Sequence, residues 1–377
     1  MRTRLYASCQ ALSHYLAKMM RNLSASLVVG IILAAGGESV HAANKSKLSA
    51  YAHDQPVEYL PCGTSPLLTR TAVLMGGGID VQEALAWMIT KMSECRDGST
   101  GRPGNFLVIR AGGNPSYDSL IYKLGPVASV QTIVVPNADV ANDPAIEPYI
   151  RNAGAIWLTG GDQGDYYNFW HNSLLERLVS EHVKNYGVPI GGTSAGMMIL
   201  SEFNYIAYPY TINSTDALND PFKDGAVTLK RDFWTYRTPF PPLLQTVTDS
   251  HFDTRDHMGR LITFLAHIVG DKWASNTAAR AIGVDQETAL LMEYDGDATQ
   301  ASQALASSKV RAVSNPGING AGYVLSVGTG SKLILVPGQP LTFSNIEVHK
   351  IPASGQASNY QINVEDGVMT SSTRNIY

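Results

Sequence analysis

From residue 70 onward, short apolar runs alternate with segments whose apolar positions recur every three to four residues. "TAVLMGG" (71–77), "NFLVIR" (105–110), "SVQTIVV" (129–135) and "AIWLTGG" (155–161) are continuous and mostly rich in β-branched residues. That is the pattern of strands buried on both faces. Between and after them, "VQEALAWMITKM" (81–92), "SYDSLIYKLG" (116–125), "AIEPYIRNAG" (145–154) and "SLLERLVSEHVKNYG" (173–187) carry helical spacing, and the last three close on glycine. "VPIGGTS" (188–194) predicts one more short strand, running into a turn. This alternation predicts a parallel sheet covered on both faces. In such sheets ligands sit at the carboxyl ends of strands. Glycine turns at residues 76–78, 160–161 and 191–192 fall at three of those ends.

The later chain changes character. Residues 203–247 are rich in Tyr, Pro, Asn and Asp and read as a loop-rich insertion. "DSHFDTRDHMGRLITFLAHIV" (249–269) opens polar, then sets Met258, Leu261, Ile262, Leu265 and Val269 on one helical stripe. After about residue 300, "AGYVLSV", "KLILV", "LTFSNIEVHKI" and "YQINV" are short β-like runs between Gly, Pro, Ser and Asn. This β-rich portion is either a lid or a packed extension. No internal repeat is visible.

The first forty residues follow a different rule. Arg2, Arg4, Lys18 and Arg21 precede any acidic residue, and "LVVGIILAA" (27–35) follows as a short apolar run. Gly36, Gly37 and "VHA" then offer a small-residue site for cleavage after Ala42. The pattern is that of a secretory signal peptide, and the run is too short for a transmembrane anchor. The expected domains are a leader over 1–42, an α/β domain over 43–300 and a β-rich extension over 301–377. The expected location is secreted or periplasmic, with no membrane attachment after cleavage.

Loss of four basic residues and one acid moves the formal charge from −4 to −7. An acidic chain lacks the basic face a nucleic-acid partner requires. Cys9 leaves with the leader; Cys62 and Cys95 remain, either as a disulfide closing a loop of about thirty residues or as two separate thiols.

"GGTSAGMM" (191–198) contains G-x-S-x-G over Gly192, Ser194 and Gly196, the pattern of a strand-to-helix elbow that exposes a serine hydroxyl. Such a hydroxyl needs a base within hydrogen-bond reach. Past the leader the histidines are His53, His171, His182, His251, His257, His267 and His349. His182 and His267 lie on amphipathic helices, and His349 lies inside the β-rich tail. His251, in "TVTDSHFDTR", sits between a strand end and a helix among polar neighbours. The order Ser, then His, then acid differs from that of the α/β-hydrolases. Val81 stands at the third glycine position of a dinucleotide fingerprint, and no metal or P-loop signature appears, so no cofactor or metal is expected.

Five segments in order resemble cyanophycinases and related aspartyl dipeptidases of serine peptidase family S51: "LMGGGID", "IWLTGGDQ", "GGTSAGMM", "DSHFDTRDHMGRL" and "GVDQETALL". They cover roughly residues 70–295. The resemblance implies a three-layer, doubly wound, mostly parallel α/β fold similar to class I glutamine amidotransferases. It implies Ser194 as nucleophile and His251 as base. The Ala195 N–H and one from Gly77 or Gly78 would then form an oxyanion hole.

The resemblance also implies an aspartyl-peptide substrate held at its free carboxylate, with Gln163, Asp249, Arg255 and Arg260 at matching positions. Cyanophycin is the expected polymer, cut to β-Asp-Arg dipeptides through an acyl-enzyme. An exported α-aspartyl dipeptidase and an inactive peptide-binding relative are the alternatives. A homodimer is allowed. Two departures bear on substrate: Ser250 stands where the family usually has Gln, and His257 where Arg is common. A third bears on the triad. The family's glutamate position is Gln286 here, with Glu287 next to it. Register favours Gln286, whose amide oxygen can accept the histidine N–H; a bulge turning Glu287 inward is the alternative.

Overall fold

The structure, a computed structural model, describes residues 47–58, 69–94, 103–223, 228–234, 238–295 and 304–377. The expected leader, Cys62 and Cys95 lie outside the described residues. Six strands open the described chain: β1 (Ser49–His53), β2 (Arg70–Met75), β3 (Asn105–Arg110), β4 (Ser129–Val134), β5 (Ala153–Leu158) and β6 (Ile190–Thr193). With β11 (Thr288–Tyr294) and β12 (Lys309–Ser314) they form a sheet in the order β1-β4-β3-β5-β6-β2-β11-β12. The five strands from β4 to β2 run parallel; β1, β11 and β12 join antiparallel.

The parallel strands read as unbroken apolar runs because both faces are covered. Along β2, Val73 and Met75 pack in a cluster with Leu85, Met88 and Ile89 of the helix Gln82–Ser93. Ala72 and Leu74 belong to a different cluster, with Leu175, Leu178 and Val179 of the helix Leu174–Tyr186. That second helix ends as its sequence dictates. The Ser173 side chain accepts the Glu176 N–H at its start, and Gly187, at φ 65°, closes it. The segment expected as one helix over 145–154 is a 3₁₀ turn (Pro144–Ile146) and a short helix (Glu147–Arg151), where Pro148 lacks the N–H a longer helix would use.

A second sheet carries the rest. β9 (Thr246–Asp249) and β10 (Arg280–Val284) run parallel, and β10 continues into β13 (Ala321–Val327), β15 (Thr342–Pro352), β16 (Ser358–Glu365) and β17 (Val368–Ser371). β14 (Leu333–Ile334) pairs with β15. A two-residue ribbon, β7 (Asn204–Tyr205) with β8 (Leu229–Lys230), lies in the loop-rich insertion. Helix Met258–Gly270 packs on this sheet; Leu261, Leu265 and Ile268 share a cluster with Val247, Ala281, Tyr323 and Phe343. The molecule is thus mixed α/β with two multi-stranded sheets. No helix among the described residues is long and apolar enough to cross a membrane.

Candidate active site

β2 and β6 end in step, Met75 opposite Thr193, so the glycine turn at 76–78 and Ser194 emerge side by side. Ser194 leaves the strand at φ 51°, ψ −118°, a conformation that costs an L-residue about 1–3 kcal/mol. Its N–H donates to Met75 O at 2.9 Å, which holds the turn against β2. The flanking glycines are sterically required. A Cβ on Gly196 would stand 2.1 Å from Leu158 O, and one on Gly192 would stand 2.5 Å from the Gly196 carbonyl carbon. The serine Oγ is therefore presented at the start of a helical turn, Ala195–Met198.

The partners come from the carboxyl ends of the second sheet's parallel pair. His251 follows β9 and Gln286 follows β10. Ser194 Oγ lies 2.9 Å from His251 Nε2, and His251 Nδ1 lies 2.9 Å from Gln286 Oε1. The first sheet's glycine turn ties these segments down. Gly76 O accepts the His251 N–H at 2.7 Å and Gly77 O accepts the Glu287 N–H at 2.8 Å. A Cβ on Gly77, which sits at φ 94°, would meet His251 Nε2 at 2.4 Å, so only glycine permits the ring its place.

Gln286, rather than Glu287, meets the histidine. Residues 286–287 form a turn instead of an extended segment, and Glu287 at φ 55° sends its carboxylate to the Asn315 side chain at 3.2 Å. Two residues not singled out in the sequence complete the setting. Thr254 Oγ1 donates to Gln286 Oε1 at 3.2 Å, and Asp253 Oδ1 accepts the Gln286 N–H at 2.9 Å. Their signal was proximity alone, since both follow His251 in "HFDTR".

Burial of the His251 ring pushes its pKa below the ordinary value; Arg255 and His257 add to this, while the Gln286 hydrogen bond and Asp249 oppose it. The shift favours the neutral form of the ring. Beneath it, Asp249 and Arg260, both expected at the substrate, are instead engaged with each other. Arg260 donates from Nε and Nη2 to Asp249 at 2.7 and 2.6 Å, and from Nη1 to Thr211 and Ile212 O. Burial disfavours the Asp249 charge, but Arg260, with help from His257, outweighs it and brings the carboxyl down to about 2. This pair is closed to substrate and braces the strand that carries His251.

Asp285 lies behind Gln286. Burial and the Asp253 charge push its carboxyl up to about 7, against the hydrogen bonds from Ala321 N–H and Tyr323. Arg255 is exposed, four residues after His251; its backbone N–H donates to His251 O at 3.1 Å, and its guanidinium is in no ion pair among the described residues. Gln163 is half-buried at the start of the helix Gln163–Trp170, after the turn at 160–161. Gly160 of that turn faces Ser194: a Cβ there would sit 3.5 Å from Ser194 Cβ. The N–H groups of Gly77, Gly78 and Ala195 have no hydrogen-bond partner among the described residues. His182 and His267 are satisfied by Ala153 O and Pro221 O. Among the described residues no group of three or more His, Cys, Asp or Glu side chains is placed to hold a metal.

Residues 124–219, which include Ser194, match the model of peptidase family S51. Among curated proteins, the cyanophycinase of Geminocystis herdmanii (strain PCC 6308) is 26% identical over 180 residues, 48% of this chain and 57% of the relative. The cyanophycinase of Nostoc sp. (strain PCC 7120) is 20% identical over 167 residues, 44% of this chain and 48% of the relative. The chain thus spans about half the length of the curated relatives it matches. Among solved structures, a peptidase from an acI-B1 Actinobacterium aligns over 78% of this chain and 98% of its own, at 17% identity and TM-score 0.43. A putative peptidase E protein from Listeria monocytogenes EGD-e aligns over 66% and 100%, at 15% identity and TM-score 0.37.

Proposed function

From its resemblance to peptidase family S51, we propose that this chain is an exported serine peptidase that hydrolyses aspartyl peptides. The observation that carries the reading is the pair of hydrogen bonds that runs from Ser194 Oγ to His251 Nε2 and from His251 Nδ1 to Gln286 Oε1, each 2.9 Å. Ser194 Oγ attacks the scissile carbonyl carbon while its proton passes to His251 Nε2. The carbonyl oxygen becomes an oxyanion and accepts hydrogen bonds from the Ala195 N–H and that of Gly77 or Gly78. Collapse breaks the C–N bond, and the His251 proton goes to the leaving amine. Water, giving its proton to the same histidine, then attacks the Ser194 ester; the C–O bond to Ser194 breaks, His251 returns the proton to Ser194 Oγ and the carboxylate is freed.

Gln286 in this scheme holds the proton on Nδ1, so that Nε2 is the acceptor. Arg255, exposed beside the histidine loop, takes the free carboxylate of the substrate, and Gln163 contributes from the facing turn. The polymer is cyanophycin and the product β-Asp-Arg dipeptides. The fold around the site is a three-layer, doubly wound arrangement over 43–300 with a β-rich extension over 301–377. Residues 1–42 form the leader, cut after Ala42.

The test is to incubate the chain beginning at Ala43, and its Ser194→Ala variant, with cyanophycin and with α-Asp-Xaa dipeptides. Dipeptide release from cyanophycin by the unaltered protein, and at least about a thousandfold less by the variant, is the expected result. Equal release by both, or none by either, overturns the reading. Cleavage of α-linked dipeptides alone transfers it to an α-aspartyl dipeptidase.

A further inference from the structure

Arg255 is flanked by acidic residues that compete for its guanidinium. "HFDTRD" places one carboxylate two positions before the arginine and another immediately after it. Adjacent Cα atoms stand about 3.8 Å apart, so the long arginine arm can reach its neighbour's carboxylate. An arginine paired in that way is lost to a substrate. In the structure both carboxylates are turned to other donors. Asp253 Oδ1 accepts the Gln286 N–H at 2.9 Å, and Asp256 Oδ1 accepts the Tyr377 hydroxyl at 2.7 Å. Arg255 is left exposed, close enough to His251 to lower that ring's pKa.

The Tyr377 bond has a fixed direction. The same hydroxyl accepts the Met258 N–H at 3.0 Å, and a backbone N–H can only donate. The phenol proton is therefore directed to the Asp256 carboxylate. Burial, with that carboxylate, pushes the phenol pKa up against the Met258 hydrogen bond, so the group remains a donor. The ring is held as well. It packs edge-on against Phe252 and Tyr323, with centroids 5.7 and 6.1 Å away, and the Tyr360 hydroxyl ties down the preceding Ile376 O at 2.6 Å. The Asp256 backbone, at φ 49°, is fixed separately: its N–H donates to Asp253 O at 3.1 Å and its carbonyl accepts from Ser214 Oγ. Removing the hydroxyl alone thus frees the carboxylate while the turn keeps its own anchors. We infer that Tyr377 is a positioning residue that occupies the Asp256 carboxylate and so leaves the Arg255 guanidinium open to a carboxylate of the substrate.

The inference rests on the proposed role of Arg255 at the substrate; the pairing of its guanidinium is observable without turnover. The experiment compares wild type, Tyr377→Phe, Asp256→Asn and the Tyr377→Phe/Asp256→Asn double variant. Steady-state kinetics on an aspartyl peptide give kcat and KM. ¹⁵N NMR of the guanidinium groups, with the Arg255 signal assigned by its loss in Arg255→Gln, reads whether that group is paired. In Tyr377→Phe the guanidinium is expected to pair with Asp256. KM should then rise about two- to fivefold, the scale of an exposed ion pair, with kcat kept within about twofold. Asp256→Asn should resemble wild type, and in the Tyr377→Phe background it should restore both the KM and the unpaired guanidinium. A merely structural role for the tyrosine would not be rescued in that way. An unpaired guanidinium or an unchanged KM in Tyr377→Phe, or a raised KM that persists in the double variant, overturns the inference. If wild type shows no turnover, the serine-peptidase reading fails while the guanidinium signals still decide the role of Tyr377.

Discussion

At the scale of single residues, the candidate site pairs the His251 ring with a neutral amide. An amide oxygen fixes the imidazole but stabilises the imidazolium less than a carboxylate does. Hydrogen bonds to charged groups exceed neutral ones by about 1 kcal/mol, so Gln286→Glu should raise kcat by about five- to tenfold. The pH dependence follows from the direction of the His251 shift. His251 must be neutral to accept the serine proton, and burial with Arg255 and His257 lowers its pKa from 6.5. Activity should therefore fall on acidification with a midpoint below that value, and both Gln286→Glu and Arg255→Gln should move the midpoint up. A profile of kcat/KM against pH with an unshifted or raised midpoint in the unaltered protein would contradict this.

Some of these residues were legible and others were not. Ser194 declares itself by two glycines whose spacing only a tight elbow requires. Gln286 was reached by register, although the segment is a turn and Glu287 leaves the site through its φ of 55° rather than by strand alternation. The Asp249–Arg260 pair was not legible. Eleven residues separate them, and nothing in the sequence says whether a guanidinium finds a substrate or a buried carboxylate.

At the scale of elements, strand ends do the positioning, and glycines allow them to approach. Gly196 and Gly160 make opposite predictions. A methyl on Gly196 would stand 2.1 Å from a backbone oxygen of β5 that cannot yield, so Gly196→Ala should cost about 3 kcal/mol or more in chemical denaturation. A methyl on Gly160 finds ordinary contacts at 3.5 Å or beyond, the nearest being Ser194 Cβ. Gly160→Ala should leave stability within about 1 kcal/mol and lower kcat/KM by crowding Ser194. Equal unfolding midpoints for the two variants would refute the steric account.

The buried parallel strands were readable as apolar runs because both their faces are covered. β1 was not, since all five of its residues are exposed and an edge strand without a buried face carries no alternation. "KLILV" yielded only the two-residue β14, cut short before Pro337.

At the scale of the whole molecule, the candidate site lies where two sheets meet. The first supplies Ser194 and the glycine turn; the second supplies His251 and Gln286. The hydrogen bonds from His251 N–H to Gly76 O and from Glu287 N–H to Gly77 O join the two. The β-rich end of the chain lies beside β10 and reaches the back of the site, where Tyr323 and the Ala321 N–H hold Asp285. Sequence order gave the motifs but not this pairing, because the contacts of residue 251 with 286 and of 285 with 321 are closed only by the tertiary fold.

The proposed role of Ser194 is that of a nucleophile activated by His251. It is tested most directly by covalent labelling: brief exposure to a fluorophosphonate, then intact mass and peptide mapping. One phosphonyl adduct per chain is expected, on Ser194, formed with the pH dependence of His251 and absent from Ser194→Ala and His251→Ala. Labelling that maps elsewhere, or that persists in Ser194→Ala, would contradict it.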